Sequence, residues 1–138
     1  MRLDISHLGQ VALGVSDVDR AEAFYGTTLG LNKLFRFGDL AFLDLAGVRL
    51  LLEKTNHPEH LPYSSVLYLR CADIALAVRE LRSRGVVFDG EPHLIAKMDD
   101  HDLWMAFFSD PDGHTLALMQ EAPKGHVPNN ANDNRRSA

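Results

Sequence analysis

The property that most constrains this chain is that it repeats itself. Sliding the first half forward by 56 positions lays Asp17 on Asp73, Val18 on Ile74, Ala21 on Ala77 and Gln10 on Val66. Beyond the helix the offset becomes 66, which lays Asp44 on Asp110, Gly47 on Gly113 and Leu51 on Ala117. A helix cap, an apolar helix face and a turn glycine answer to three different physical requirements, and chance rarely preserves all of them together. The chain is therefore expected to contain two copies of one β-α-β-β-β unit. The change of offset leaves about ten extra residues in the second copy, expected around His93 to Asp102.

Each copy can be read from local chemistry. Leu8 to Val15 alternates as a strand, with Gln10, Ala12 and Gly14 on one face. Ser16 is placed to cap a helix over residues 17 to 28, whose Val18, Ala21, Tyr25 and Leu29 recur at helical spacing, and Gly30 stops it. Strands are expected over Leu31 to Phe37, Leu40 to Leu45 and Val48 to Glu53, before the breaker-rich connector NHPEHLP. In the second copy a strand from Ser64 to Arg70 precedes a helix that Asp73 caps and Gly85 ends. A strand from Val86 to Glu91 follows, then two apolar runs between Leu103 and Gln120, hinged at Asp110-Pro111-Asp112-Gly113. The expected boundaries are 1–55 for the first module, 56–63 for a linker, 64–121 for the second module and 122–138 for a disordered tail.

Composition narrows the function classes. Of 138 residues, 46% are hydrophobic and 24% charged, the balance of a globular domain. The net charge is −5 and no basic stripe is present, so nucleic acid is not an expected partner. No run of about 18 apolar residues occurs and the N-terminus has no apolar signal core, so no membrane role is expected and a cytoplasmic location is. Cys71 is the single cysteine and reads as a small buried hydrophobe rather than a nucleophile.

The stretches QVALGVSDVDRAEAFYGTTLGL, Ser65 to Val86 and FFSDPDGHTLAL together resemble the vicinal oxygen chelate superfamily. That superfamily includes glyoxalase I, extradiol dioxygenases, methylmalonyl-CoA epimerase and the bleomycin- and fosfomycin-resistance proteins. The resemblance implies an α+β fold in which two β-α-β-β-β modules with curved mixed sheets form a cup-shaped site. Metal-dependent members hold a divalent ion there with four inward His, Gln or Glu side chains. Carried over position by position, the resemblance puts those four sites at Gln10, Leu51, Val66 and Ala117. Gln10 alone offers a donor, so no metal and no cofactor is expected at these positions. Glu53 becomes a second ligand only if a bulge shifts the register of its strand.

The candidate site residues follow from faces and loops. Gln10 is either a remnant ligand or a hydrogen-bonding group on the cup floor. Arg49 and Glu53 share a face; they either pair with one another, or Arg49 clamps a substrate carboxylate while Glu53 serves as general base. Tyr68 falls on the same face as Val66 and is read as ligand-contacting or as core. The extra segment PHLIAKMDDHDLW is read either as an exposed polar loop or as a lid that brings His93, His101 and Trp104 over a ligand, with His101 as a second catalytic candidate. His57 and His60 are read as solvated, and His114 is given no role. The leading expectation is a homodimer that binds a small aromatic or polar organic molecule. The first alternative is a glyoxalase-like lyase or dioxygenase-like enzyme using Zn, Ni, Mn or Fe through non-standard ligands; the second is a structural dimer with a vestigial cup.

Overall fold

A computed structural model describes residues 2–128 and shows an α+β chain that divides into two compact units between Leu61 and Pro62. In the first unit, β1 (Gln10–Val15), α1 (Val18–Glu22), β2 (Asn32–Phe37), β3 (Leu40–Leu45) and β4 (Val48–Lys54) follow in order. The second repeats this with β5 (Leu67–Arg70), α2 (Ile74–Ser83), β6 (His93–Lys97), β7 (Asp102–Ser109) and β8 (Thr115–Ala122). Each unit forms one four-stranded mixed sheet, in the orders β1-β4-β3-β2 and β5-β8-β7-β6. In both, the first and last strands pair in parallel and the remaining pairs are antiparallel.

The helices form where the patterns place them. Asp17, rather than Ser16, is the cap of α1: its carboxylate accepts the Arg20 N–H at 3.0 Å, while Ser16 Oγ accepts from the Arg20 guanidinium at 2.8 Å. After Glu22 the helix widens into a π-helical turn, Ala23–Thr28, where Gly26, Thr27 and Thr28 are poor α-formers. Asp73 caps α2 by accepting the Leu76 N–H at 3.1 Å, and the Gln120 side-chain oxygen takes the Ile74 N–H at 2.9 Å. Two of the helix's four orphan donors are thereby satisfied, one from across the sheet. Gly85, at φ +93°, ends α2.

Each helix covers one face of its own sheet. Val18 and Ala21 of α1 are buried together with Leu13, Val15, Ala41, Leu43, Leu50 and Leu52. In the second unit Ile74, Val78 and Leu81 are buried together with Ala106, Phe108, Leu116 and Leu118. Full burial of each Val, Leu, Ile or Phe side chain among these stabilises by about 1.5–3 kcal/mol. The opposite face of each sheet is left for other work.

The extra residues of the second unit lie elsewhere than expected. His93 to Lys97 is not an insertion but β6, the counterpart of β2. Both strands carry a bulge against their partners, at Leu34 between Lys33 and Phe35 and at Ile95 between Leu94 and Ala96. Ile95 lies 61 positions after Leu34, midway between the offsets of 56 and 66. The extra length is therefore split between the segment ahead of β6 and the turn after it. Val86 to Glu91 is not a regular strand. Only Phe88 bridges to Phe108, and Asp89 N–H reaches Phe107 O at 2.8 Å. Val87 is 80% exposed, Gly90 has φ +91° and Pro92 has no N–H to give, so the ladder cannot continue. Arg82 instead ties this loop to α2, with a forked pair to Glu91 at 2.9–3.0 Å and a bond to Gly90 O at 3.1 Å.

At the C-terminal side, β8 runs to Ala122, and Gly125 N–H donates to Asp102 at 3.0 Å. Of the segment 122–138 read as a disordered tail, residues 129–138 lie outside the described residues. Among the described residues no helix is long and apolar enough to cross a membrane.

Candidate functional site: the open sheet faces

Register fixes which side chains share the face away from the helix. In the first unit Gln10, Ala12 and Gly14 of β1 lie beside Arg49, Leu51 and Glu53 of β4. Across β4 these meet Asp44, Phe42 and Leu40 of β3, and beyond them Phe35 and Phe37 of β2. The outer half of the face is aromatic. Phe35 sits 4.5 Å from Phe42 and 5.4 Å from Phe37 between ring centres, and Phe35 and Phe37 are 43% and 65% exposed. The inner half is polar. Gln10, Arg49 and Glu53 are exposed, and neither Arg49 nor Glu53 takes part in an ion pair among the described residues. The sequence left their mutual pairing open; the described structure does not contain it.

The open face of the second unit is built differently. Tyr68 of β5, Ala117 of β8 and Phe107 of β7 lie in one row, and Arg70, Met119, Met105 and His93 in the next. Tyr68 and Phe107 stand edge to face at 6.4 Å, flanking Ala117, which is fully buried. The His93 ring stacks near Phe107 at 6.2 Å. Arg70 is held by Glu121 at 2.8 Å. Tyr68 is thus a face residue, as read from the sequence, whereas His93, expected on a lid, stands on a strand of this face.

Trp104 does not belong to this face. It pairs in register with Gln120, the residue that caps α2, so its indole points to the helix side between Asp102 and Ala106. Strand alternation decides this, because shifting a side chain by one position moves it to the other face. The Trp104 Nε1 atom is buried and has no hydrogen-bond partner among the described residues. His101 lies in the β6–β7 turn. Its Nδ1 is 2.7 Å from Asp100, and its carbonyl accepts the Met98 N–H at 2.8 Å. This contact with His101 holds the Asp100 carboxyl below the usual carboxylate range.

The four positions implied by the family resemblance do not fit a metal ion. Leu51 and Ala117 are buried aliphatic groups, and Val66, which precedes β5, has no donor. The bulge that would bring Glu53 to Gln10 is absent, since β1 and β4 pair without a break from Gln10–Arg49 to Val15–Lys54. Glu53 stands four residues along the strand from the level of Gln10, about 13 Å at ~3.3 Å per residue. Side chains that rise perpendicular to a sheet at that spacing do not converge on one ion.

His114 and Asp110, outside the expected set, hold the turn ahead of β8. His114, only 2% exposed, accepts the Tyr63 N–H on Nδ1 at 3.0 Å, and the two rings lie 5.0 Å apart. Its own N–H and that of Asp112 donate to the buried Asp110 carboxylate, both at 2.9 Å. The repeat carried a signal for this. The equivalent position in the first unit, 66 residues earlier, is apolar Val48, so His114 stands at an inward position. Cys71 donates to Met119 O at 3.6 Å, and burial, followed by the Asp73 charge, pushes its thiol up to about 11, so it is not a ready nucleophile.

Two repeated β-α-β-β-β units, each with a helix on one face of a mixed sheet and an open face on the other, define a class of small α+β proteins. The profile of the Glyoxalase/Bleomycin resistance protein/Dioxygenase superfamily matches residues 7–118, and the chain belongs to that family. Metallothiol transferase FosB of Lysinibacillus sphaericus (strain C3-41) is 24% identical over 122 residues, which is 81% of this chain and 80% of FosB. The crystal structure of TnmS3, an antibiotic binding protein from Streptomyces sp. CB03234, is similar with a TM-score of 0.69 and 29% identity, over 88% of this chain and 100% of that one. A superfamily member from Sphaerobacter thermophilus DSM 20745 is similar at TM-score 0.68 and 26% identity, over 86% of this chain and 100% of that one.

Proposed function

We propose that this protein binds a small, planar aromatic molecule bearing polar groups, against its open sheet faces, without a metal at the four family positions. The observation that carries the reading is the Phe35–Phe37–Phe42 cluster. Three rings, two of them exposed, stand beside Arg49, Glu53 and Gln10 on one sheet face. Exposed aromatic rings offer stacking area worth about 0.5–1.5 kcal/mol per pair beyond burial. Arg49 and Glu53 supply orientation, Arg49 as a fork for an anionic group and Glu53 as acceptor or general base. Tyr68 and His93 play the matching part on the second face. The likeness to an antibiotic binding protein supports sequestration over turnover.

The enzyme reading rests on the similarity to a metallothiol transferase and requires an ion. The two readings separate in one experiment. A panel of aromatic antibiotics and dyes is screened by melting temperature, with and without EDTA, because a ligand that binds only the folded state raises the midpoint by mass action. Stabilisation that persists in EDTA is expected. Stabilisation that requires added Zn²⁺ or Mn²⁺ at the sheet face contradicts it.

The protein is further proposed to form a homodimer. The edge strands β2 and β6 expose Leu34, and Leu94 and Ile95. Such edges invite cover. Light scattering at micromolar concentration is expected to give twice the chain mass, and a monomer contradicts it.

A further inference from the structure

The sequence His57-Pro58-Glu59-His60 packs three metal-ligand side chains into four residues. Pro58 opens a 3-10 turn, Pro58–His60, that is tied at both ends. His57 N–H donates to Thr55 Oγ1 at 3.0 Å, His60 N–H to His57 O at 2.9 Å, and Leu61 N–H to Pro58 O at 3.1 Å. Side chains three apart eclipse one another on such a turn. The His57 and His60 rings accordingly stack, with centres 5.0 Å apart and planes 18° from parallel. Glu59 reaches both: its Oε1 lies 3.1 Å from His57 Nδ1 and 3.9 Å from His60 Nε2. One ligand atom from each residue falls within 4.8 Å of the other two.

We propose that this turn is a surface site for one borderline divalent metal ion of the Zn²⁺ type, held by His57 Nδ1, His60 Nε2 and a Glu59 carboxylate oxygen. Tetrahedral coordination with bonds of about 2.0–2.2 Å requires donors about 3.4 Å apart. Glu59 Oε1 lies 3.1 Å and 3.9 Å from the two ring nitrogens, and the exposed His57 and His60 rings must turn out of their stacked arrangement to aim both in-plane lone pairs at one ion. Two imidazoles and a carboxylate are a donor set that such ions favour over Mg²⁺ or Ca²⁺, which take oxygen. The three side chains are each more than 60% exposed, so the ion has an open approach and solvent supplies the fourth position. Among the described residues the ion pairs of Glu59 are with these two histidines alone. The site is separate from Gln10 and Glu53 on the sheet face. It occupies the last residues of the first unit, where the chain passes at Leu61 into the second. Binding would stiffen that junction rather than take part in chemistry on the sheet.

The test is a calorimetric titration of ZnCl₂ into the full chain freed of any polyhistidine tag. One Zn²⁺ per chain with micromolar affinity is expected. His57→Ala and His60→Ala should each weaken it at least tenfold, and Glu59→Gln by a smaller factor, with the metal-free melting temperature unchanged. Absence of binding overturns the proposal. So does binding that survives both histidine substitutions, or that is lost on Gln10→Ala instead.

Discussion

The two sheets of this protein share a strand order and differ in what they leave uncovered. On the helix side they are nearly interchangeable. Leu43, Leu50 and Leu52 in the first unit and Phe108, Leu116 and Leu118 in the second do the same packing. On the open side the first sheet presents a bare aromatic cluster beside Arg49 and Glu53, whereas the second ties its arginine to Glu121 and buries Ala117 between Tyr68 and Phe107. The turns before the last strands also part company. Asp44 accepts the Gly47 N–H at 3.0 Å in an open turn, while the buried Asp110 carboxylate accepts two N–H groups of its own turn, from Asp112 and His114, and the His114 ring accepts a further one from Tyr63. The comparison teaches that the helix-facing residues carry the fold and the open faces are free to differ, so function is to be sought on them.

The largest effects should fall on the shared side. Leu50→Ala and Leu116→Ala, at fully buried positions, should each cost about 2–5 kcal/mol in denaturant unfolding. If one costs little, that unit is not packed as described. His114→Val converts the second turn towards the first. It removes the acceptor of the part-buried Tyr63 N–H, at about 0.5–1.5 kcal/mol. The reverse exchange, Val48→His, has no such donor waiting and should not stabilise. A near-zero cost for His114→Val would show that the two turns are equivalent after all.

A smaller effect should appear at low pH and only in the second unit. Asp102 is held below its ordinary value of 3.8, first by the Gly125 N–H and then by Lys124, whose ammonium lies 3.1 Å from Oδ1. A carboxylate depressed in the folded state contributes stability that is complete above the unfolded value and fades as pH falls through the folded one. Asp102→Asn should therefore flatten the stability profile below about pH 4 and lower stability at neutral pH. An unchanged acid limb would exclude this pair as its source. Smallest of all, Phe37→Ala should change stability by less than about 0.5 kcal/mol, since that ring is 65% exposed. A large loss would mean that the cluster is core, not site.

Much of the fold was legible because caps, helical periodicity and turn glycines are local signals. Asp73, Gly85 and the Asp110–Gly113 turn are where the spacing puts them. The second unit's third element was misread because a bulge at Ile95 breaks the alternation that marks a strand, while Val86 to Phe88 imitates one. Reading that segment as an insertion puts Trp104 on a lid, whereas on β7 its facing is set by register, and register depends on long-range pairing. Gln10, Arg49, Glu53 and Tyr68 were legible as sharing faces. The aromatic cluster was not, because Phe35 and Phe42 meet only when β2 and β3 pair.

The central claim is that the first sheet's aromatic face binds without metal, and one titration tests it. The strongest compound from the antibiotic and dye panel is titrated calorimetrically, in EDTA, into the wild type and into the Phe35→Ala/Phe37→Ala variant. The account predicts that the wild type binds with the same affinity in EDTA as without it, and that the folded variant binds at least tenfold more weakly, a loss of about 1.4 kcal/mol or more. Equal affinity in both proteins, or binding abolished by EDTA and restored by added metal, would contradict it.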